Sequence, residues 1–200
     1  MYEKFGQFID GSWSPSSNKE TYEVINPATE EVLGHASKAT PEDVDRALKS
    51  AEKGLAVWKK ITPWERSYIL RRIADKLREK KDVLAKWMTL ENGKPLAEGV
   101  GETNGAADIF EWNAEETKRI FGQTIESRFE DTRVHVYYQP VGVVAALSPW
   151  NFPLILAARK ISTALAAGCS VIIKPDTITP GVVMELVDIC RECGVPPGAV

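Results

Sequence analysis

The chain has 200 residues, of which 44% are hydrophobic and 26% charged, the balance of an ordinary globular protein. A net charge of -3 gives no electrostatic reason to expect nucleic acid or an anionic membrane. Three cysteines (Cys169, Cys190 and Cys193) are too few for a disulfide scaffold. Residues 1–6 hold no apolar core of a secretory leader and no Asn-x-Ser/Thr acceptor occurs, so the expectation is a reducing cytoplasm.

Residues 7–13 read as a hairpin turning at Asp10-Gly11, and residues 21–36 hold two further strand-like pieces around Asn26-Pro27-Ala28-Thr29. Helices follow. Thr40-Pro41-Glu42-Asp43 is an N-cap with proline at the first helical position, and Val44, Ala47, Leu48, Ala51 and Leu55 continue at helical spacing. Thr62-Pro63-Trp64-Glu65 adds a Thr…Glu capping box, with Ile69, Leu70, Ile73, Ala74 and Leu77 as its apolar stripe. A third helix is expected over about 80–91, ending near Gly93. A fourth is expected over about 97–120, ending near Gly122. Gly99-Val100-Gly101-Glu102-Thr103-Asn104-Gly105 imitates a dinucleotide fingerprint. Its spacing is off by one and it lies inside a helical pattern, so any nucleotide must be held another way.

Residues 124–128 and 134–138 read as a two-stranded ribbon, which is marginal in water without something to pair with. Val141 to Leu147 has a buried-strand pattern. A turn, Ser148-Pro149-Trp150-Asn151-Phe152-Pro153, leads to a helix from Leu154 to Ala167 that stops at Gly168. The charge-free run from Pro140 to Ala158 approaches a membrane span in length, but three prolines, a glycine and an asparagine fit a strand followed by a helix better. A strand at Ser170–Lys174, a loop, and a helix opened by Thr179-Pro180 and stopped by Gly194 complete the pattern. The fold class is therefore α/β with a parallel sheet, and a third strand is expected to begin near Val200.

A buried strand, a polar turn and a helix present a site at the strand's C-terminal end. Asn151 is one candidate there. Its neutral amide suits an oxyanion, and the alternative is a cap for the helix that follows. Lys174 at the next strand end could meet the hydroxyls or phosphates of a nucleotide beside a helix N-terminus, or be a solvated lysine. Arg159 is a carboxylate clamp or a surface arginine. Cys169 reads as a small core residue. Cys190 and Cys193 lack a second pair and a nearby histidine, and His35 and His135 are isolated, so no metal is expected.

The pieces Asn26–Thr29, Leu90-Glu91-Asn92-Gly93-Lys94-Pro95, Gln139–Val143, Pro149–Pro153, Ala164–Cys169 and Lys174-Pro175…Thr179-Pro180 resemble the aldehyde dehydrogenase superfamily, and within it the succinate-semialdehyde dehydrogenases. The resemblance implies oxidation of an aldehyde to its acid with NADP or NAD as acceptor. It implies the N-terminal part of a Rossmann-like cofactor-binding domain with flanking helices, made by residues 1–123 and 139–200, and a protruding oligomerisation arm at 124–138. The parent would be a homo-oligomer, a dimer or tetramer. Asn151 would be the side-chain half of the oxyanion hole. Leu147, Ser148, Pro149 and Trp150 would line the cofactor cleft, with Lys174 at the adenine-side ribose. Thr177 stands where many NAD-preferring relatives have Glu, so a 2′-phosphate is not repelled there, although Asp176 beside it works the other way if it points inward. Phe152 would wall the aldehyde tunnel and Ile155, Leu156 and Arg159 would line it, with Arg159 facing the far carboxylate of an ω-semialdehyde. Members of that family are well over twice this length, and their cysteine nucleophile and catalytic domain lie downstream of Val200. The expectation is a fragment without turnover of its own. The alternative is a stand-alone nucleotide-binding or assembly module.

Overall fold

The computed structural model describes Tyr2 and residues 6–200. The leader reading of residues 1–6 therefore rests partly on Met1 and residues 3–5, outside the described residues.

Two antiparallel hairpins come first: β1 (Gln7–Ile9) with β2 (Ser12–Ser14), then β3 (Thr21–Ile25) with β4 (Val32–Ser37). The first turns at Asp10-Gly11 as expected, both residues taking positive φ. Helices α1 (Pro41–Trp58) and α2 (Pro63–Glu79) start where the capping residues predict. Thr40 accepts from the Asp43 N–H and Thr62 from the Glu65 N–H, and in both boxes the acidic side chain returns the bond to the cap backbone. Helix α3 (Lys81–Asn92) ends at Gly93, which takes φ 79°. Helix α4 (Leu96–Glu116) is shorter than expected, because Thr117–Arg119 tighten into a 3-10 turn.

The ribbon of β5 (Gln123–Glu126) and β6 (Arg133–Val136) stands with nearly all its residues exposed. The parallel unit follows: β7 (Val143–Leu147), α5 (Pro153–Ala166), β8 (Ser170–Lys174) and α6 (Gly181–Glu192), with Val143 opposite Ser170 and Leu147 opposite Lys174. Strand β7 begins two residues later than expected. Val141 is exposed and Gly142 takes φ 126°, so the chain is still turning there. The strand is also less buried than its composition suggests, with Ala146 its one buried residue, because β8 is its single strand neighbour among the described residues. At the outer edge of β8 the Val171 N–H donates to the Ala199 carbonyl at 3.0 Å, the first rung of pairing by the segment that ends at Val200.

The core lies between α2, α4 and α5 and extends to α3 and α6, around Phe110, Leu70, Ile73, Leu154, Ile161 and Leu186. Trp58 joins α1 to it by donating to the Leu165 carbonyl at 2.9 Å. The glycines of the false fingerprint lie inside α4, two of them at helix contacts. A Cβ on Gly99 would come within 3.0 Å of the Ala85 backbone of α3, and one on Gly105 within 2.9 Å of Ile155 of α5. Their work is close helix packing. Cys169, Cys190 and Cys193 are all buried, and burial pushes the thiols of Cys190 and Cys193 up from their ordinary value. No metal-binding cluster and no helix long and apolar enough to cross a membrane occur among the described residues.

Candidate active site

The turn between β7 and α5 carries most of the candidate residues. Proline at the first position of α5 sets the helical φ and removes one N–H that would lack a partner. The next two N–H groups are not capped by Asn151. Glu102, from the middle of α4, reaches across, and its Oε1 accepts from Leu154 N at 2.9 Å and Ile155 N at 3.1 Å. The capping alternative for Asn151 is thereby corrected. Its carboxamide is exposed and has no hydrogen-bond partner among the described residues, while its own carbonyl is held at 3.1 Å by Lys94 Nζ. Leu147, Trp150 and Phe152 flank it with at least half their surface in water, an apolar lip around one free amide. Ser148 is buried, and its hydroxyl lacks a partner.

Helix α6 is started in the same way. Thr179-Pro180 was expected to open it, but the Thr179 hydroxyl is buried and unpaired and makes no cap bond. Glu91, at the end of α3, accepts from Gly181 N at 2.8 Å and Val182 N at 3.3 Å, and Tyr2 donates its hydroxyl to the same carboxylate. Burial pushes the Glu91 carboxyl up to about 8, against the pull of the two backbone N–H groups. The N–H groups at this helix start, expected to offer an anion site beside Lys174, are therefore already taken by the Glu91 carboxyl oxygens. The same holds at α5. An ordinary dinucleotide fold lays its pyrophosphate on a free helix N-terminus. Neither helix start offers one here, in keeping with the missing glycine fingerprint.

Lys174 is exposed at the end of β8, its Nζ 3.2 Å from the Pro175 carbonyl, and Thr177 is exposed three residues on. Both border a cavity of about 740 Å³ that runs along β8 and is also lined by Trp13, Tyr22, Val183 and Met184. Asn151 does not border it. The strand ends thus present two regions, a mainly apolar cleft with Lys174 and Thr177 and an exposed lip with Asn151. Along α5, Ile155 packs against α4, Leu156 is half-buried, and Arg159 is exposed with no ion-pair partner among the described residues.

Residues 13–200 match the profile of the aldehyde dehydrogenase family. The chain belongs to that family. It is similar to a glutarate-semialdehyde dehydrogenase of Pseudomonas putida, 45% identical over 193 residues that make up 96% of this chain and 40% of that protein. It is also similar to the NADP(+) succinate-semialdehyde dehydrogenase of Escherichia coli, 43% identical over 95% of this chain and 39% of that one. A crystal structure of an E. coli NADP-dependent enzyme superposes with a TM-score of 0.96 at 42% identity, over 100% of this chain and 42% of the other. A succinate-semialdehyde dehydrogenase from Burkholderia pseudomallei superposes at 0.94 with 41% identity, over 96% and 40%. The chain spans about 40% of the length of the relatives it matches. As a member of the aldehyde dehydrogenase family it has the Rossmann-like α/β unit that the alternation of strands and helices implies.

Three residues that contact the Asn151 turn escape sequence reasoning about it. Lys94, Glu102 and Asn92, whose Nδ2 donates to the Trp150 carbonyl at 3.0 Å, all contact the Asn151 turn. Lys94 and Glu102 form a buried ion pair. Breaking such a pair from one side costs about 3–5 kcal/mol, because the partner is left charged and dry. Lys94 and Asn92 do lie in one of the pieces that carry the family resemblance, and Glu102 lies in the false fingerprint.

Proposed function

We propose that this chain supplies the cofactor-binding and oxyanion-stabilising part of an NAD(P)-dependent aldehyde dehydrogenase whose substrate is an ω-semialdehyde, succinate semialdehyde or its one-carbon-longer homologue. The observation that carries the reading is the Asn151 carboxamide, unpaired and exposed on a turn whose neighbouring carbonyls are tied down. The relatives, named as semialdehyde dehydrogenases, support the reaction class. In that reaction a thiolate adds to the aldehyde carbon. A hydride leaves that carbon, and water then hydrolyses the thioester to the acid and frees the thiol. The nicotinamide, when bound, accepts the hydride. Asn151 donates to the oxygen as it gains charge, a neutral donor with no proton to lose. Leu147, Ser148, Pro149 and Trp150 form the wall beside the cofactor, and Lys174 and Thr177 take its ribose or 2′-phosphate. Phe152, Ile155, Leu156 and Arg159 contact the aldehyde. The nucleophile comes from residues other than the buried Cys169, Cys190 and Cys193. Residues 124–138 pair with a second copy, and the cytoplasm suits three unpaired cysteines.

The test is Asn151→Ala in the complete reading frame that carries these residues. We expect kcat to fall by about 10²–10³ while KM for the aldehyde moves little. A raised KM with unchanged kcat would show that Asn151 only positions substrate.

A further inference from the structure

An oxyanion donor works only if its amide stays within roughly half an ångström of the productive position. Asn151 sits on a turn, and its carboxamide is itself unbonded, so the backbone must supply the rigidity. That backbone is held from outside by α3 and α4. Gly93, with φ 79°, turns the chain between Asn92 and Lys94 so that both side chains reach the same turn. Asn92 Nδ2 donates to the Trp150 carbonyl at 3.0 Å, and Lys94 Nζ to the Asn151 carbonyl at 3.1 Å. The ammonium of Lys94 is buried. It also donates to Glu102 Oε2 and lies 4.6 Å from the centre of the Phe152 ring. The other oxygen of Glu102 receives the Leu154 and Ile155 N–H groups.

We propose that Lys94 and Glu102 are a positioning pair for the oxyanion donor, an inference that rests on the oxyanion reading of Asn151. Together they close a loop of bonds from the Asn151 carbonyl through Lys94 and Glu102 to the first amides of α5. The peptide plane after Asn151 and the start of the helix that follows are thus fixed to one rigid reference, the middle of α4. Rotation of that peptide plane would swing the Asn151 side chain, so clamping its carbonyl sets where the carboxamide points. Lys94 does not act on substrate charge itself, because a carboxylate, a carbonyl and a ring face already surround its ammonium. Glu102 cancels that charge, so the pair holds the turn without adding a net cation beside the reacting oxygen.

A double-mutant cycle tests this in the complete reading frame, with Lys94→Met, Asn151→Ala and the double variant. Lys94→Met should lower kcat by about 10- to 100-fold, the scale of a displacement near 1 Å, with aldehyde KM within about twofold. In the Asn151→Ala background the same change should have almost no effect on kcat, because no amide is left to position. Additive losses would overturn the proposal and make Lys94 a general structural residue. Glu102→Gln is the second variant if Lys94→Met fails to fold. It is isosteric, keeps an acceptor for the α5 amides and turns an N–H toward Lys94, so it should reproduce the kcat loss and the non-additivity. Amide hydrogen exchange of the 200-residue chain separates the two layers of the argument. Either variant should speed exchange at Leu154 and Ile155, whose N–H groups Glu102 accepts, by about tenfold or more relative to the rest of α5. Faster exchange with an inert Asn151→Ala would sink the oxyanion reading and leave the clamp. Unchanged exchange would sink the clamp whatever Asn151 does.

Discussion

Replacing Arg159 with Leu separates an ω-semialdehyde site from a general aldehyde site. Arg159 lies six residues beyond Pro153, which begins α5, and at 1.5 Å per residue this is about 9 Å along the helix from the Asn151 turn. The side chain is exposed and has no ion-pair partner among the described residues, so its guanidinium is available to a ligand. If the tunnel closes over it, a carboxylate paired with it gains about 1.5–3 kcal/mol, which corresponds to roughly 10- to 150-fold in KM. If Arg159 stays in water, the pair is worth about 1 kcal/mol or less, under roughly sixfold, and weakens further with salt. Initial rates of Arg159→Leu in the complete reading frame, with succinate semialdehyde and with a neutral aldehyde of similar length, read the difference directly. We expect KM for the semialdehyde to rise by at least about tenfold, and both constants for the neutral aldehyde to stay near those of the parent. An equal loss on both substrates would make Arg159 structural and remove the substrate assignment. A selective effect below about sixfold would place the guanidinium in open water rather than in a tunnel.

Two further outcomes follow from single residues. Thr177→Glu puts a carboxylate beside Lys174 at the cleft and should move the NADP/NAD ratio of kcat/KM toward NAD, because it repels a 2′-phosphate; an unchanged ratio would show that Thr177 does not meet the ribose. Asp43 caps α1 and is buried. Burial pushes its carboxyl up, but the Thr40 and Ser17 N–H groups outweigh that and hold it at about 2, below its ordinary 3.8. Its stabilisation is complete above the unfolded value and disappears as pH falls from 3.8 through about 2. Asp43→Asn should therefore be less stable than the parent at pH 7 in urea melts, and the gap should narrow across that acid window. A gap that does not change with pH would contradict the pairing.

Most of the fold was legible in short windows of sequence because the forces involved are local. Thr62 and Glu65 cap α2 within one turn, Gly93 ends α3 because an αL residue is needed there, and the alternation of apolar runs with Gly stops marked β7, α5 and β8. The position of Asn151 at a strand end was legible for the same reason. What held it there was not. The starts of α5 and α6 have no cap in their own sequence, and Thr179, the residue that local rules favour, is left unpaired. Glu102 and Glu91 take over from other helices, and Lys94 joins one of them to the Asn151 carbonyl. The false fingerprint around Glu102 shows the same division: the spacing of its glycines imitates phosphate chemistry, yet Gly99 and Gly105 serve helix packing and Glu102 holds the start of α5. A carboxylate's partner across tens of residues depends on which helix faces pack together, and packing is decided by apolar complementarity over the whole core. Residue spacing therefore determined the elements and the turn that carries the amide, and only the assembled helices decided which charged side chains would clamp it.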